Sequence, residues 1–119
     1  MKSFKDLEVW KRGIDLVEDI YNLTSRFPSS EQFGLVSQMR RAAVSIPSNI
    51  AEGQGRKNAK EFIQFLYIAK GSLAELETQL IICERLKLIP DVTGLIDKMK
   101  VLRMMLLGLI NSLCNANNR

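Results

Sequence analysis

Apolar residues recur every three or four positions along nearly the whole chain, and no stretch alternates with period two as a half-buried strand would. Leu7, Trp10, Ile14, Val17 and Tyr21 predict a first helix over about residues 6–24. Phe27-Pro28 breaks it, since proline drives the residue before it out of the helical region. Ser29 followed by Gln32 has the form of a capping box. It opens a second helix, about 30–52, whose apolar face is Leu35, Met39, Ala42, Ala43, Ile46 and Ile50. Pro47 inside that helix removes a backbone donor and predicts a kink, and Gly53-Gln54-Gly55 ends it. Asn58 with Glu61 starts a third helix, about 58–87, marked by Phe62, Leu66, Ala69, Leu73, Leu76, Leu80 and Cys83. Pro90-Asp91 is the next turn. Leu95, Met99, Leu102, Leu106, Leu109 and Leu113 trace a fourth helix, about 92–115, with the last residues, Asn115 to Arg119, expected to fray. Short connections between comparable amphipathic helices predict an all-α, antiparallel up-down-up-down four-helix bundle forming a single domain over residues 1–119.

The apolar rows exceed what one bundle needs. The first helix carries a second row, Val9, Leu16, Ile20 and Leu23, and the fourth is apolar almost all round from Met104 to Ile110. A surface helix should show one stripe, and large exposed apolar patches mark interfaces. A homo-oligomer is therefore expected, the alternative being a wide stripe absorbed within one bundle.

Composition narrows the chemistry. At 46% hydrophobic residues over 119 positions, the chain has material for a packed core. Its longest apolar run is far below the roughly 20 residues of a membrane span, and Met1-Lys-Ser-Phe-Lys-Asp6 lacks the apolar region of a signal peptide. A soluble cytoplasmic protein without membrane contact is expected. The chain has no histidine, which removes the commonest general base near neutral pH and the commonest metal ligand. Cys83 and Cys114 both lie among apolar residues at helical spacing, where a small buried thiol is the ordinary reading. No catalytic residue, metal or cofactor is assigned. Seventeen basic residues against 13 acidic ones give +4, with the excess in residues 26–57 and 90–119. That is a weak field for one protomer, and oligomerisation would multiply it.

The most selective segment runs from Gln38 to Arg56. On a helix, Gln38, Arg41, Ser45, Ser48, Asn49 and Glu52 share one polar sector beside the apolar face. Its arginines, small hydroxyls, amide and carboxylate suit hydrogen bonding to a fixed partner better than solvation. Gly71-Ser72 on the third helix offers a spot for close helix approach, so a polar seam of Gln38, Arg41, Ser45, Asn49, Glu52, Ser72 and Glu75 is expected. Arg41 would face Glu75 across it in a buried bidentate pair. The seam serves either to order the bundle or its subunit interface, or to bind a ligand. A basic set, Arg40, Arg56, Lys57 and Lys60, extended by Lys98, Lys100 and Arg103, is the candidate nucleic-acid surface; its alternative is scattered solubilising charge. The start of the third helix adds free N–H groups beside it. Gly53-Gln-Gly-Arg-Lys57 lacks both the spacing and the preceding strand of a phosphate loop. Trp10, Phe62, Phe65 and Tyr67 either stack on bases or belong to the core.

These residues together resemble a known family. The pieces are Leu7-Glu-Val-Trp10, Phe27-Pro28 with Glu31, Gly34-Leu35, Gln38-Met-Arg-Arg41, Ser45-Ile-Pro-Ser-Asn-Ile-Ala-Glu-Gly53, Arg56, Glu61-Phe62, Phe65-Leu66, Ala69-Lys-Gly-Ser72 and Glu75-Leu76. The chain is similar to the four-helix-bundle proteins first known from open reading frames in intervening sequences of bacterial 23S ribosomal RNA genes. The resemblance implies an antiparallel four-helix protomer, a homopentamer and bacterial origin, with no settled activity. It extends to the accessory subunit of diversity-generating retroelements, a similar pentameric bundle that binds a reverse transcriptase and nucleic acid. The leading expectation is a non-catalytic, pentameric, basic scaffold that binds RNA or DNA electrostatically. The alternative is an adaptor for a protein such as a polymerase or reverse transcriptase. Bundle ribonucleases built on an arginine–histidine motif and di-iron bundles built on Glu-x-x-His are excluded by the missing histidine.

Overall fold

The computed structural model describes residues 3–117. Met1 and Lys2, and Asn118 and Arg119 from the segment expected to fray, lie outside the described residues. Four helices follow one another: α1 (Glu8–Thr24), α2 (Ser37–Gln54), α3 (Ala59–Arg85) and α4 (Thr93–Asn117). Each is antiparallel to its sequence neighbours. Arg40 at the start of α2 reaches Thr24 at the end of α1, Ser45 meets Ser72, Arg103 pairs with Glu77, and Lys98 of α4 returns to Asp19 of α1. This is the expected up-down-up-down bundle. It measures 51 × 21 × 19 Å, its long axis set by α3, whose length is about 40 Å at the usual rise per residue.

Local chemistry sets the ends. Asn58 Oδ1 accepts the Glu61 N–H at 2.9 Å and caps α3, as its spacing predicts. The other end of α3 closes through Lys87, held at φ 61°, with the Leu88 N–H bonded to the Cys83 carbonyl at 2.9 Å. That is a Schellman closure made without the usual glycine. Asp91 Oδ1 accepts both the N–H and the hydroxyl of Thr93, at 2.9 and 2.7 Å, opening α4. The Thr93 N–H, then its hydroxyl, holds this exposed carboxyl below its ordinary range.

The start of the second helical segment departs from expectation. Ser29 makes no capping bond; Ser29–Glu31 form a 3-10 turn and Gln32–Val36 a π turn before α2 begins. Gly34, at φ −105° and ψ −105°, is the break. Pro47 lies inside α2, which continues as one helix through it, and its ring is buried.

The core follows the periodic rows with one exchange. All seven α3 positions read from the sequence are buried, as are Met39, Ala42, Ala43, Ile46 and Ile50 of α2. On α1, however, the presumed surplus row supplies most of the core beside Leu7 of the expected row, with its last member Leu23 half-buried. Val9, Leu16 and Ile20 are buried with Gly13 and Thr24, while Trp10, Ile14 and Val17 are half-buried and Tyr21 is exposed. Two parallel rows on one helix are not ranked by periodicity; the small Gly13 decides, because α2 seats against it. A Cβ on Gly13 would lie 3.3 Å from Pro47 Cβ. At the far end of α2, a Cβ on Gly53 would lie 2.6 Å from Phe65 Cβ and 2.9 Å from Phe62 Cδ1. Gly71, in contrast, has nothing within 4 Å of its Cβ position.

These contacts predict opposite outcomes for one substitution. Gly53→Ala should lose about 1–3 kcal/mol through overpacking, although alanine is the better helix former by about 1 kcal/mol. Within the protomer, where its Cβ position is open, Gly71→Ala should gain up to about 1 kcal/mol. Urea denaturation of the two variants checks both signs.

Candidate nucleic-acid interface and polar seam

The seam forms in part. The Ser45 and Ser72 hydroxyls bond across α2 and α3 at 2.8 Å. Asn49 Nδ2, one turn on, donates to the Ser45 hydroxyl at 2.9 Å and the Ser45 carbonyl at 2.8 Å. All three side chains are half-buried, and the bonds lock the register of α2 on α3. Arg41 and Glu75 do not pair in the protomer. Both are exposed; Arg41 has no partner among the described residues, and Glu75 Oε2 accepts from Gln79 Nε2 at 3.3 Å. Gln79 itself is buried, and its Oε1 has no hydrogen-bond partner among the described residues. Gln38 is exposed, and Glu52 is exposed and bound to Arg56. Only Ser45, Asn49 and Ser72 are brought together. Gly71 opens to solvent, so the close approach of α2 and α3 lies at Gly53.

The basic set separates into committed and unpartnered side chains. Arg40 is half-buried and held against α1. Its Nε donates to Thr24 Oγ1 at 2.9 Å, its Nη2 to the Tyr21 carbonyl at 3.5 Å, and its guanidinium lies 4.3 Å over the Tyr21 ring. Thr24 in turn donates to the Ile20 carbonyl at 2.7 Å. Arg56 bonds Glu52 Oε1 at 2.6 Å and stacks 4.8 Å from the Phe65 ring centre. Lys57 and Lys60 are exposed beside the start of α3, with no partner among the described residues. Lys98 pairs with Asp19 at 3.1 Å and Arg103 with Glu77, leaving Lys100 as the unpartnered member of the α4 extension.

Aromatic placement also sorts the candidates. Phe62 is buried, Phe65 is half-buried, and Trp10 is half-buried with its ring edge-on to Phe4, centroids 5.3 Å apart; Tyr67 is exposed. Sequence reasoning passes over Phe33, which is 99% exposed beside the Gly34 break. The available signal is its position off the α2 apolar row next to a glycine. Tyr67 and Ile68 start an uncharged outward strip on α3 that continues through Gly71, Ala74, Thr78, Ile81 and Ile82, all exposed. Val101, Met104 and Gly108 make a similar exposed strip on α4.

Both cysteines are free. Burial, and secondarily the Glu31 charge, pushes the Cys83 thiol up, and it donates to Met39 Sδ at 3.6 Å. This is an unreactive core thiol. No helix of the described residues is long and apolar enough to cross a membrane.

The geometry defines a small antiparallel helical bundle whose polar residues organise a helix seam and whose outer faces carry uncharged strips and unpaired cations. Residues 5–108 match the family of the 23S rRNA-intervening sequence protein, and the chain belongs to that family. No curated protein matches the chain.

With Glu75 exposed, the cost expected of breaking a buried pair disappears. Glu75→Ala should cost at most about 1–3 kcal/mol, through the part-buried Gln79 Nε2 bond it removes. A Ser45→Ala/Ser72→Ala double-mutant cycle should show about 0.5–1.5 kcal/mol of coupling. Denaturant unfolding of the four variants measures both.

Proposed function

We propose that this protein is a non-catalytic homo-oligomeric scaffold that holds RNA or DNA by charge. The observation carrying the reading is the pair of uncharged outward strips on α3 and α4, each with an exposed glycine. Glycine inside an exposed helix costs about 1 kcal/mol relative to alanine. Gly71 and Gly108 have open space at their Cβ positions in the protomer, so nothing within one chain offsets that cost. A second helix lying across the strip would, because a missing side chain lets backbones approach. Exposed Tyr67, Ile68, Ile81, Ile82, Val101 and Met104 supply apolar area around those points. Five copies, the number the family resemblance implies, are the proposed assembly.

Lys57 and Lys60, with Arg56 behind them, are the proposed phosphate-binding groups. One protomer offers few. Four ion pairs to a single strand would weaken about fiftyfold in affinity for a fourfold rise in salt. Repetition around an oligomer raises effective concentration at the polyanion, which supports binding by the assembly rather than by one chain. The same α3 strip would serve a protein partner, such as a polymerase, if copies do not cover it.

Gly71→Arg tests the assembly. It should leave the protomer helical, because nothing lies within 4 Å, and should dissociate the oligomer in light scattering. A wild-type protein that scatters as a monomer defeats the scaffold reading and leaves the adaptor. Replacing Lys57 and Lys60 by glutamine should flatten the salt dependence of single-strand binding by about 0.7 for each phosphate no longer neutralised. A slope unchanged by both replacements removes them from the interface.

A further inference from the structure

The face formed by the π turn, early α2 and Tyr21 of α1 holds an open concavity of about 660 Å³. Its volume falls in the range of about 300–1,000 Å³ typical of small-molecule sites. Phe33 and Tyr21 form its aromatic walls; Arg40, Arg41, Ser37 and Gln32 supply polar groups, and no carboxylate lines it. Glu31 is not among the lining residues, although its Oε1 lies 3.9 Å from the Cβ position of Gly34, next to Phe33.

The two arginines differ in kind. Arg40 is held in place by Thr24, the Tyr21 carbonyl and the Tyr21 ring. Those bonds use its Nε and part of one Nη, and the rest of the guanidinium fork remains for an acceptor. Arg41 is exposed and unpartnered among the described residues. Phe33 stands clear of the protein on the π turn, with 99% of its surface exposed. An oriented cation, an unsatisfied cation and a free aromatic face occur together with no carboxylate among the lining residues. A ligand that complements all three must carry anionic oxygens and a flat ring.

We propose that this concavity binds single-stranded nucleic acid, with one base stacked on Phe33 and adjacent phosphates on Arg41 and Arg40. This rests on the reading that the protein binds polynucleotide, and it names the form of the strand and the residues that select it. A duplex keeps its base faces stacked and does not offer them to Phe33, whereas every base of a single strand presents a π face. Phosphates alone would be served by any surface lysine. The pairing of ring and fork is what favours a nucleotide over another anion.

Fluorescence anisotropy of a labelled oligothymidylate and of a DNA duplex of equal length, compared at low salt and then across a salt titration, tests this. Phe33→Ala should weaken single-strand binding about tenfold, leave duplex binding and melting temperature unchanged, and be rescued by Phe33→Tyr. Arg41→Gln should lower the single-strand salt slope by about 0.7. Single-strand affinity indifferent to Phe33→Ala, or an equal drop for both nucleic acids, overturns the proposal. So does displacement by polyglutamate that is the same for wild type and Phe33→Ala, which would make the face a reader of charge alone, such as an acidic protein. Dissociation of the oligomer by Phe33→Ala or Arg41→Gln would assign the face to a second copy, again overturning it. If the Lys57 and Lys60 replacements weaken binding while Phe33→Ala does not, only this site falls. If wild type binds neither nucleic acid, the broader function falls with it.

Discussion

The close seating of α2 between α1 and α3 governs the rest of this structure. Gly13 admits the Pro47 ring on one side, and Gly53 admits Phe62 and Phe65 on the other; neither glycine could carry a Cβ without displacing its neighbour. About one turn before Pro47, α2 contributes Ala42 and Ala43 to the core, and their small side chains keep the helices near each other. Ser45 and Asn49 then lie within bonding distance of Ser72, and the hydroxyl–amide bridge fixes the register. Interiors pack like crystals, so a contact this tight tolerates little adjustment. Proline in the helix interior, ordinarily a source of bending, becomes a packing surface here.

That seating determines what the outside of the bundle presents. With α2 close to α1, Arg40 reaches Thr24 and Tyr21 and becomes an oriented group, while Arg41, one residue on, turns to solvent. The chain entering α2 must turn sharply to meet the helix at this depth; it does so through the π turn and Gly34, and Phe33 is left standing outside. On α3, the inner face is served by α2 and α4, and the outward strip from Tyr67 to Ile82 carries no charge. Helices α1 and α4 are joined more loosely. Their crease holds two concavities, lined by Arg12, Asp15 and Asp19 and by Leu23, Val92 and Leu95, and the Lys98–Asp19 pair spans it.

Much of this is legible in residue spacing. The α3 core, the Asn58 cap and the four-helix order follow from period and capping chemistry, because each is decided within a few residues. What is not legible depends on tertiary contact. Periodicity alone does not rank the Val9–Leu16–Ile20 row above the Trp10–Ile14–Val17 row, since both are apolar and the choice turns on Gly13 meeting Pro47. Matched chemistry across neighbouring helices suggests an Arg41–Glu75 pair, but both side chains face outward once Ser45 and Ser72 occupy the gap. Helical angle alone gives Arg40 to solvent, and Tyr21 and Thr24, on another helix, draw it back. Phe33 escapes notice because its position off the α2 apolar row, next to a glycine, is only a weak local signal of its exposure.

Native-state hydrogen exchange tests the central role of α2 most directly. If its seating anchors the fold, amides of α2 from Ala42 to Gly53 and of the facing α3 turns exchange only through global unfolding, at the free energy that denaturant measures. Amides in the first turns of α4, along the crease with α1, exchange at distinctly lower free energy. Exchange of the α2 amides ahead of those in α4 would contradict the account.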